Sequence, residues 1–307
     1  MPRVSVIVPN FNHKKYLPER LESITAQTYQ DFEIILLDDC STDGSKEIIE
    51  AWRKHPKIGK VILNEKNSGS AFKQWQKGIS EASGELIWIA ESDDSCSPAL
   101  LETLVGEFDR EPSCVLAFCA AMLTDENGKH LDIHKYHKEI GRNLSVDGEK
   151  FARKWLLRNN YVVNASGALF RKDAAMGLGD THIKYKGVGD WLFWTQLARK
   201  GKVSFVYKAL NLFRQHGSNT TAGMKKSGEA LLELRSLLGD FERLGLKDHR
   251  VFLHDRIYAV NFVKYYGSGL SPELRAKILK VWRDNPIVSF LAALKEAKHR
   301  ISILLRK

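Results

Sequence analysis

Residues 4–9, VSVIVP, form a short apolar run rich in β-branched side chains, the pattern of a strand covered on both faces. The polar stretch PNFNHKKY interrupts it. From Tyr16 to Ala26 apolar side chains return at helical spacing, with Leu17, Leu21 and Ile24 at i, i+4 and i+7. The alternation then repeats. EIILLD (33–38) reads as a second strand, and Ser41, Asp43 and Ser45 offer capping oxygens to a helix that buries Ile48, Ile49 and Trp52. GKVILN (59–64) is a third strand. A helix over 70–81 places Phe72, Trp75 and Ile79 on one face. ELIWIA (85–90) is a fourth strand, and Pro98 suits the first turn of a helix burying Leu101, Leu104, Val105 and Phe108. VLAFCA (115–120) is a fifth.

This rhythm predicts an α/β protein, with a mostly parallel sheet and helices on both faces. Ligands of such sheets sit at the carboxyl ends of the strands. The polar residues there become candidates: Pro9 to Asn12, Asp38 and Asp39, Asn64 to Asn67, and the acidic run that ends the fourth strand. Residues 121–165 are less regular, with DENG (125–128) as a turn signal. NASGALFRKD (164–173) and VSFVYKAL (203–210) predict further strands of mixed direction. Between them GVGDWLFWTQLARKG (187–201) predicts a helix from near Asp190, with Gly201 at its C′ position. From about residue 226 the pattern is helical, with a break around Ser268 to Ser271. The segment 288–305 is basic and amphipathic.

Composition narrows the partners only slightly. The chain of 307 residues carries a formal charge of +10, which suits an anionic partner: nucleic acid, nucleotide phosphate or an acidic membrane face. A basic surface that serves solubility accounts for it equally well. The four cysteines contain no CxxC pair, so neither a zinc site nor a disulfide framework is indicated. The first apolar run is too short for a secretory signal, and no stretch approaches the ~18 apolar residues of a membrane span. The expectation is a cytoplasmic protein.

The chemistry begins with two absences. The turn after the first strand has no glycine, so it carries neither a dinucleotide GxGxxG nor a GxxxxGK[ST] phosphate loop. Asp38 and Asp39 end the second strand. A carboxylate there accepts a hydrogen bond from a base N–H or a ribose hydroxyl, or else caps the next helix. The fourth strand runs into ESDD, placing Glu91, Asp93 and Asp94 within four positions. Such carboxylates repel one another unless a cation joins them. Mg²⁺ and Mn²⁺ favour one or two carboxylates plus phosphate oxygens. The plainer reading is a solvated acidic loop.

VSVIVPNFNHKKYLPERLESITAQTYQDFEIILLDDCSTDGS, NEKNSG, GELIWIAESDD, NASGALFRKD and GVGDWLFW together resemble the family 2 glycosyltransferases. The likeness covers roughly the first 215 residues and implies the nucleotide-diphospho-sugar transferase (glycosyltransferase-A) fold. It implies a nucleotide-sugar-binding half over 1–120, an acceptor-binding half over 121–225, and a helical extension over 226–307. Pro9, Asn10 and Asn12 would frame the nucleotide, and Asn67 would lie beside it. Asp39 would read the base, usually uracil. Asp94 would ligate Mn²⁺ or Mg²⁺ directly, with Asp93, its diphosphate- and ribose-side neighbour, and His216 as further metal ligands. Asp190 would be the catalytic base. Glu91 stands where the family motif begins with Asp, and is expected to stay off the metal. Gly189 stands where many members have Glu, leaving one carboxylate for the base.

Three further features carry weaker signals. Lys73 and Lys77, four apart on the third helix, reach phosphate or form a solvated face. His216, after the last strand beside Arg214, is a candidate near the metal or diphosphate. Trp191, Phe193 and Trp194 form a sugar platform or simply pack. The implied activity is an inverting, metal-dependent transfer of a sugar from a UDP-linked donor to a hydroxyl of a glycan or lipid-linked saccharide, in surface polysaccharide synthesis. The basic segment after 288 would touch an anionic inner membrane, or pack as a surface helix. Nucleotidyl transfer is disfavoured by the missing glycine-rich loop. A nucleic-acid-binding module is disfavoured by an acidic cluster at a strand end.

Overall fold

The computed structural model describes residues 1–217, 224 and 228–282. The chain forms two compact units, Met1–Asn219 and Thr220–Lys307.

In the first unit β1 (Val4–Asn10), α1 (Leu17–Thr25), β2 (Phe32–Asp38), α2 (Ser45–Trp52), β3 (Ile58–Leu63), α3 (Ala71–Glu81) and β4 (Leu86–Ile89) alternate as the apolar pattern requires. A two-residue strand, β5 (Ser95–Cys96), leads into α4 (Leu100–Arg110) and β6 (Cys114–Thr124). The less regular stretch holds β7 (His130–Ile133), α5 (Lys135–Ile140), β8 (Leu144–Asp147) and α6 (Gly148–Phe151). Then come β9 (Ala168–Arg171), α7 (Lys172–Met176), α8 (Gly189–Ala198) and β10 (Lys202–Arg214).

These strands form one sheet in the order β3-β2-β1-β4-β9-β6-β10-β5, with β7 on β6 and β8 on β10. β1 to β4 are mutually parallel where they pair. β9 runs antiparallel to both β4 and β6, and β6 is parallel to β10. β10 therefore points the same way as β4, and the ends of β1, β2, β3, β4 and β10 share one edge. Periodicity finds all five predicted strands, but not the position of the fifth, β6, which is separated from β4 by the reversed β9. Apolar periodicity reports which residues are covered, not which strand lies alongside.

Alternate residues of each strand face opposite helix layers. Val4, Val6 and Val8 join Leu17, Leu21, Leu101, Leu104 and Phe108 in one continuous core. Ile7 points to the other face, where α3 approaches so closely that a Cβ on Gly78 would lie 2.3 Å from Ile7 Cγ2. Some predicted boundaries move. The N-cap of α2 is Gly44, at φ 90°, without a side-chain cap. Pro98 precedes the Ala99 N-cap of α4 instead of lying in its first turn. α8 starts at Gly189 and ends at Ala198. Gly201 is therefore not its C′ residue; it sits where a Cβ would meet the Ser113 carbonyl at 2.5 Å.

The second unit contains helices Glu229–Arg243, His249–Tyr266 and Pro272–Trp282, with a 3₁₀ turn at Gly267–Gly269 where the break was predicted. The buried Trp282 donates its indole N–H to the Leu231 carbonyl at 3.0 Å. The basic segment 288–305 lies outside the described residues. Among the described residues no helix is long and apolar enough to cross a membrane.

His137 illustrates how this core fixes a protonation state. The Ala121 N–H donates to its Nδ1 at 2.9 Å, so the ring proton is on Nε2, which faces the Tyr161 carbonyl at 3.0 Å. Burial pushes this imidazole down to about 4. Two measurements follow. Gly78→Ala is expected to cost about 1–3 kcal/mol in urea unfolding. His137 is neutral when folded but binds a proton near pH 6.5 when unfolded, so its contribution is complete above ~6.5 and is lost as pH falls toward ~4. The wild-type chain should lose up to about 3 kcal/mol more than His137→Gln across that window.

Candidate active site

The loop after β1 is held by the turn after β2. Asn10, at the end of β1, donates Nδ2 to Asp38 Oδ1 at 2.9 Å and to Ser41 Oγ at 3.2 Å. Asp38 Oδ2 accepts the Ser41 N–H at 2.9 Å. Asn12 adopts a left-handed conformation, φ 56°, which Asn tolerates better than most residues. Its N–H donates to Ser41 Oγ, and its Oδ1 accepts the Thr42 N–H at 2.8 Å. Pro9 lies inside β1 opposite Leu37. Asp38, Asn10 and Asn12 thus shape the loop, and Asp38 braces it rather than capping α2.

Asp39 lies one residue beyond β2 and is 5% exposed. Its Oδ1 accepts from Asn64 Nδ2, the Ser68 N–H and Gln74 Nε2 at 2.7, 2.9 and 3.0 Å. Oδ2 accepts from Ser68 Oγ at 2.7 Å. The 64–70 loop is therefore wrapped around this carboxylate. Asn67 accepts the Gly69 N–H at 2.6 Å in the same loop. Lys73 donates to the Ser68 carbonyl at 3.2 Å, and Lys77 to Asn64 Oδ1 at 2.7 Å. Both lysines line a cavity of about 350 Å³ with Gln76, Met176, Asp180 and His182. Through Ser68, Lys73 is tied to the loop that wraps Asp39.

That turn splits its carboxylates three ways. Glu91 accepts the Trp75 indole N–H at 2.7 Å; loss of hydration, with Asp93 nearby, pushes it up to about 8. Asp94 is 1% exposed and faces inward. Its Oδ2 accepts from Asn164 Nδ2 and Ser166 Oγ at 2.9 and 2.7 Å, and its Oδ1 accepts the Arg214 N–H at 3.0 Å. Loss of hydration, then the charge of Asp93, raises its pKa. Asp93 faces the opposite way, and its Oδ2 meets His216 Nε2 at 2.9 Å. Burial pushes Asp93 upward, but the His216 hydrogen bond and the nearby His13 outweigh it and hold it down.

Of the three residues expected at the metal, Asp93 and His216 meet, while Asp94 is taken up by buried protein donors. Asp94 does not face the cluster that suits an ion; Asp93 does. His13, Asp93 and His216 each offer one ligand atom, all within 4.8 Å of one another. A carboxylate between two imidazoles is a donor set that fits a divalent ion. His13 was missed because one histidine in a polar loop carries no periodic or spacing signal. Asn164 and Ser166 were visible only as part of a motif, and their role as partners of Asp94 needed the fold. β5 was also unforeseen. It pairs with β10, Ser95 opposite Leu212, and pins the acidic turn beside Arg214. The Arg214 side chain completes the clamp, donating Nε to the Asp93 carbonyl at 2.8 Å and Nη2 to Glu19 at 2.6 Å.

The start of α8 lies against Phe72, in the first turn of α3, and so beside the loop that follows β3. Asp190 stands in the first turn of α8. It accepts from Asn160 Nδ2 at 2.8 Å and from the Trp191 N–H at 2.7 Å. A Cβ on Gly189 would lie 2.5 Å from both the His182 carbonyl and Phe72 Cε2, leaving no room there for a second carboxylate. Phe193 and Trp194 are core residues, 1% and 0% exposed, packed on Trp75 and Phe170, and form no sugar platform. Trp191 donates its indole N–H to the Leu156 carbonyl at 2.6 Å.

The loop after β1, Asp39 and the acidic turn thus stand at the carboxyl ends of adjacent parallel strands. The sequence model of "Glycosyl transferase family 2" matches residues 5–179, and the chain belongs to this family. It is 34% identical over 131 residues to "Putative teichuronic acid biosynthesis glycosyltransferase TuaG" of Bacillus subtilis, covering 43% of this chain and 51% of that one. The chain thus spans about half the length of that relative. A longer match, 26% over 270 residues, covers 87% of this chain and 81% of the "GalNAc(5)-diNAcBac-PP-undecaprenol beta-1,3-glucosyltransferase" of Campylobacter jejuni. Residues 1–349 of Staphylococcus aureus TarS, solved with UDP-GlcNAc, superpose with a TM-score of 0.64 at 21% identity, over 87% of this chain and 74% of that one. The Pyrobaculum calidifontis mannosyltransferase PcManGT, solved with GDP-Man and Mn²⁺, gives 0.56 at 17% identity, over 96% and 80%. The glycosyltransferase-A fold expected from the motifs is the fold of this chain.

The inward and outward aspartates should separate in a stability assay. Asp94→Ala is expected to cost about 2–4 kcal/mol in urea unfolding, because the Arg214 N–H, Ser166 and Asn164 lose a buried acceptor. Asp93→Asn should stay within about 1 kcal/mol of the wild-type chain.

Proposed function

We propose that this chain is an inverting glycosyltransferase that moves a sugar from a UDP-linked donor to a hydroxyl of a glycan or lipid-linked saccharide, with a divalent ion at the acidic turn. The observation that supports this reading is Asp93 against His216, beyond the end of β4 as Asp39 is beyond the end of β2, with Asp190 in the first turn of a helix that starts against Phe72 of α3.

In this reading Asp39 receives the base. Its Oδ1 already takes three hydrogen bonds and its Oδ2 one, so Oδ2 retains the capacity for the N3–H of uracil. Asn10 and Asn12 set the loop that borders the nucleotide. Asp93 and His216 would hold the ion. When bound, that ion neutralises the charge growing on the departing diphosphate. Asp190 collects the proton of the attacking hydroxyl as the new glycosidic bond forms at the anomeric carbon. One base suffices, because displacement with inversion has a single nucleophile. Asn160, bonded to Asp190 Oδ2, keeps the carboxylate aimed. The protein named for transfer onto an undecaprenol-linked saccharide, and the one named for teichuronic acid, support surface polysaccharide as the destination. A cytoplasmic location beside the membrane belongs to the same reading, since lipid-linked acceptors of this kind are membrane-borne.

Two experiments test it. In a panel of nucleotide sugars with Mn²⁺, a UDP-sugar should raise the melting temperature and be turned over; stabilisation by none would remove the assignment. Asp190→Asn should leave donor affinity within about twofold while transfer falls about 10²–10⁴-fold; retained turnover would place the base elsewhere.

A further inference from the structure

The loop after β1 belongs, by its resemblance, to the nucleotide. In this chain it also carries an imidazole that the nucleotide does not require. His13 stands three residues beyond the end of β1, and its carbonyl accepts the N–H groups of both Tyr16 and Leu17, each at 2.9 Å. The residue is thereby locked to the start of α1. Its ring is fixed as well: Nδ1 lies 2.8 Å from Ser92 Oγ, and the ring stands edge-on to His216, centroids 5.8 Å apart at 87°. With Nδ1 committed to Ser92, Nε2 is the nitrogen left to serve the cluster with Asp93 and His216. A hydroxyl bonded to the far nitrogen is the arrangement that orients metal-bound imidazoles. Two ligands, each about 2.2 Å from an ion, stand at most about 4.4 Å apart. Atoms within 4.8 Å of one another therefore close on an ion with movements of a few tenths of an ångström.

We propose that His13, Asp93 and His216 form a two-histidine, one-carboxylate site for a divalent transition ion such as Mn²⁺ or Co²⁺, in which His13 is a protein ligand that discriminates against Mg²⁺. Mg²⁺ favours oxygen donors and retains its water, whereas imidazole suits the transition ions. Three protein ligands would leave the remaining positions of such an ion to phosphate oxygens and water. The inference deepens the proposed function, since it rests on reading the acidic turn as the diphosphate end of a nucleotide-sugar site, but metal binding without nucleotide tests it separately.

The test is direct metal binding to the full chain, without turnover. Mn²⁺ is titrated by electron paramagnetic resonance, with ¹⁴N modulation read in the bound state, for the wild type and His13→Gln. Mg²⁺ is added as competitor. The wild type should show two imidazole nitrogens and hold Mn²⁺ at least about tenfold more tightly than Mg²⁺. His13→Gln should show one nitrogen and bind Mn²⁺ about tenfold more weakly, with Mg²⁺ affinity unchanged within about twofold. Equal ¹⁴N modulation in the two proteins, equal affinity of the wild type for Mn²⁺ and Mg²⁺, or no bound Mn²⁺ would overturn the proposal. Should His13→Gln fail to fold, the Co²⁺-shifted imidazole N–H resonances of the wild type give the count: two support the site and one overturns it. Two nitrogens with a Mn²⁺ signal that UDP leaves unchanged would keep the site and count against the nucleotide-sugar reading.

Discussion

One buried carboxylate organises the working edge of this molecule. Asp94 has left water, and a buried charge is tolerated only where hydrogen bonds replace its hydration. Three groups from distant parts of the chain do so: Asn164, Ser166 and the Arg214 backbone. The acidic turn, the approach to β9 and the end of β10 must therefore meet at a single point. Because Asp94 turns inward, its neighbour Asp93 turns outward, beside His216 and His13. The placing of the candidate ion ligands is a consequence of satisfying Asp94.

The same economy explains why three carboxylates crowd a turn in a basic protein. They do not share one environment. Glu91 is partnered by the Trp75 indole, Asp94 by buried donors, and Asp93 by an imidazole. Each has its own means of limiting repulsion, and of the three only Asp93 stands with the imidazoles of His13 and His216. A similar division holds across the sheet edge. Asp38 braces the loop after β1, while Asp39 gathers the 64–70 loop and keeps capacity on Oδ2. Asp190 accepts from Asn160 in the first turn of a helix whose first residue, Gly189, has no room for a side chain, because Phe72 and the His182 carbonyl occupy that space. The missing second carboxylate in GVGDW is thus a packing fact as much as a chemical one.

Much of this was legible in the residues. The β-branched runs and the helical spacing of Leu17, Leu21 and Ile24, or of Phe72, Trp75 and Ile79, are local properties, so the alternating layers followed from them. That ligands gather at the strand ends is a property of the topology, and it drew attention to Asp39 and the acidic turn. The roles of the two adjacent aspartates were not legible, because neighbouring residues differ only in which way each side chain points, and that direction is set by Asn164 and Ser166, some seventy residues away. Lys73 and Lys77 have the right charge, and the fold ties them to the 64–70 loop, at the Ser68 carbonyl and Asn64 Oδ1. Phe193 and Trp194 have the right shape for a sugar, yet lie in the core.

The sequence by itself determined the layer pattern, the strand edge that would carry polar residues, and the family to which the chain belongs, since each follows from short-range periodicity or contiguous motifs. The tertiary structure alone decided that β9 runs reversed between β4 and β6, that Asp93 faces out while Asp94 faces in, and that His13 joins His216 across two hundred residues of chain. Those outcomes depend on which distant donors reach a buried charge, and no local stretch of residues encodes that.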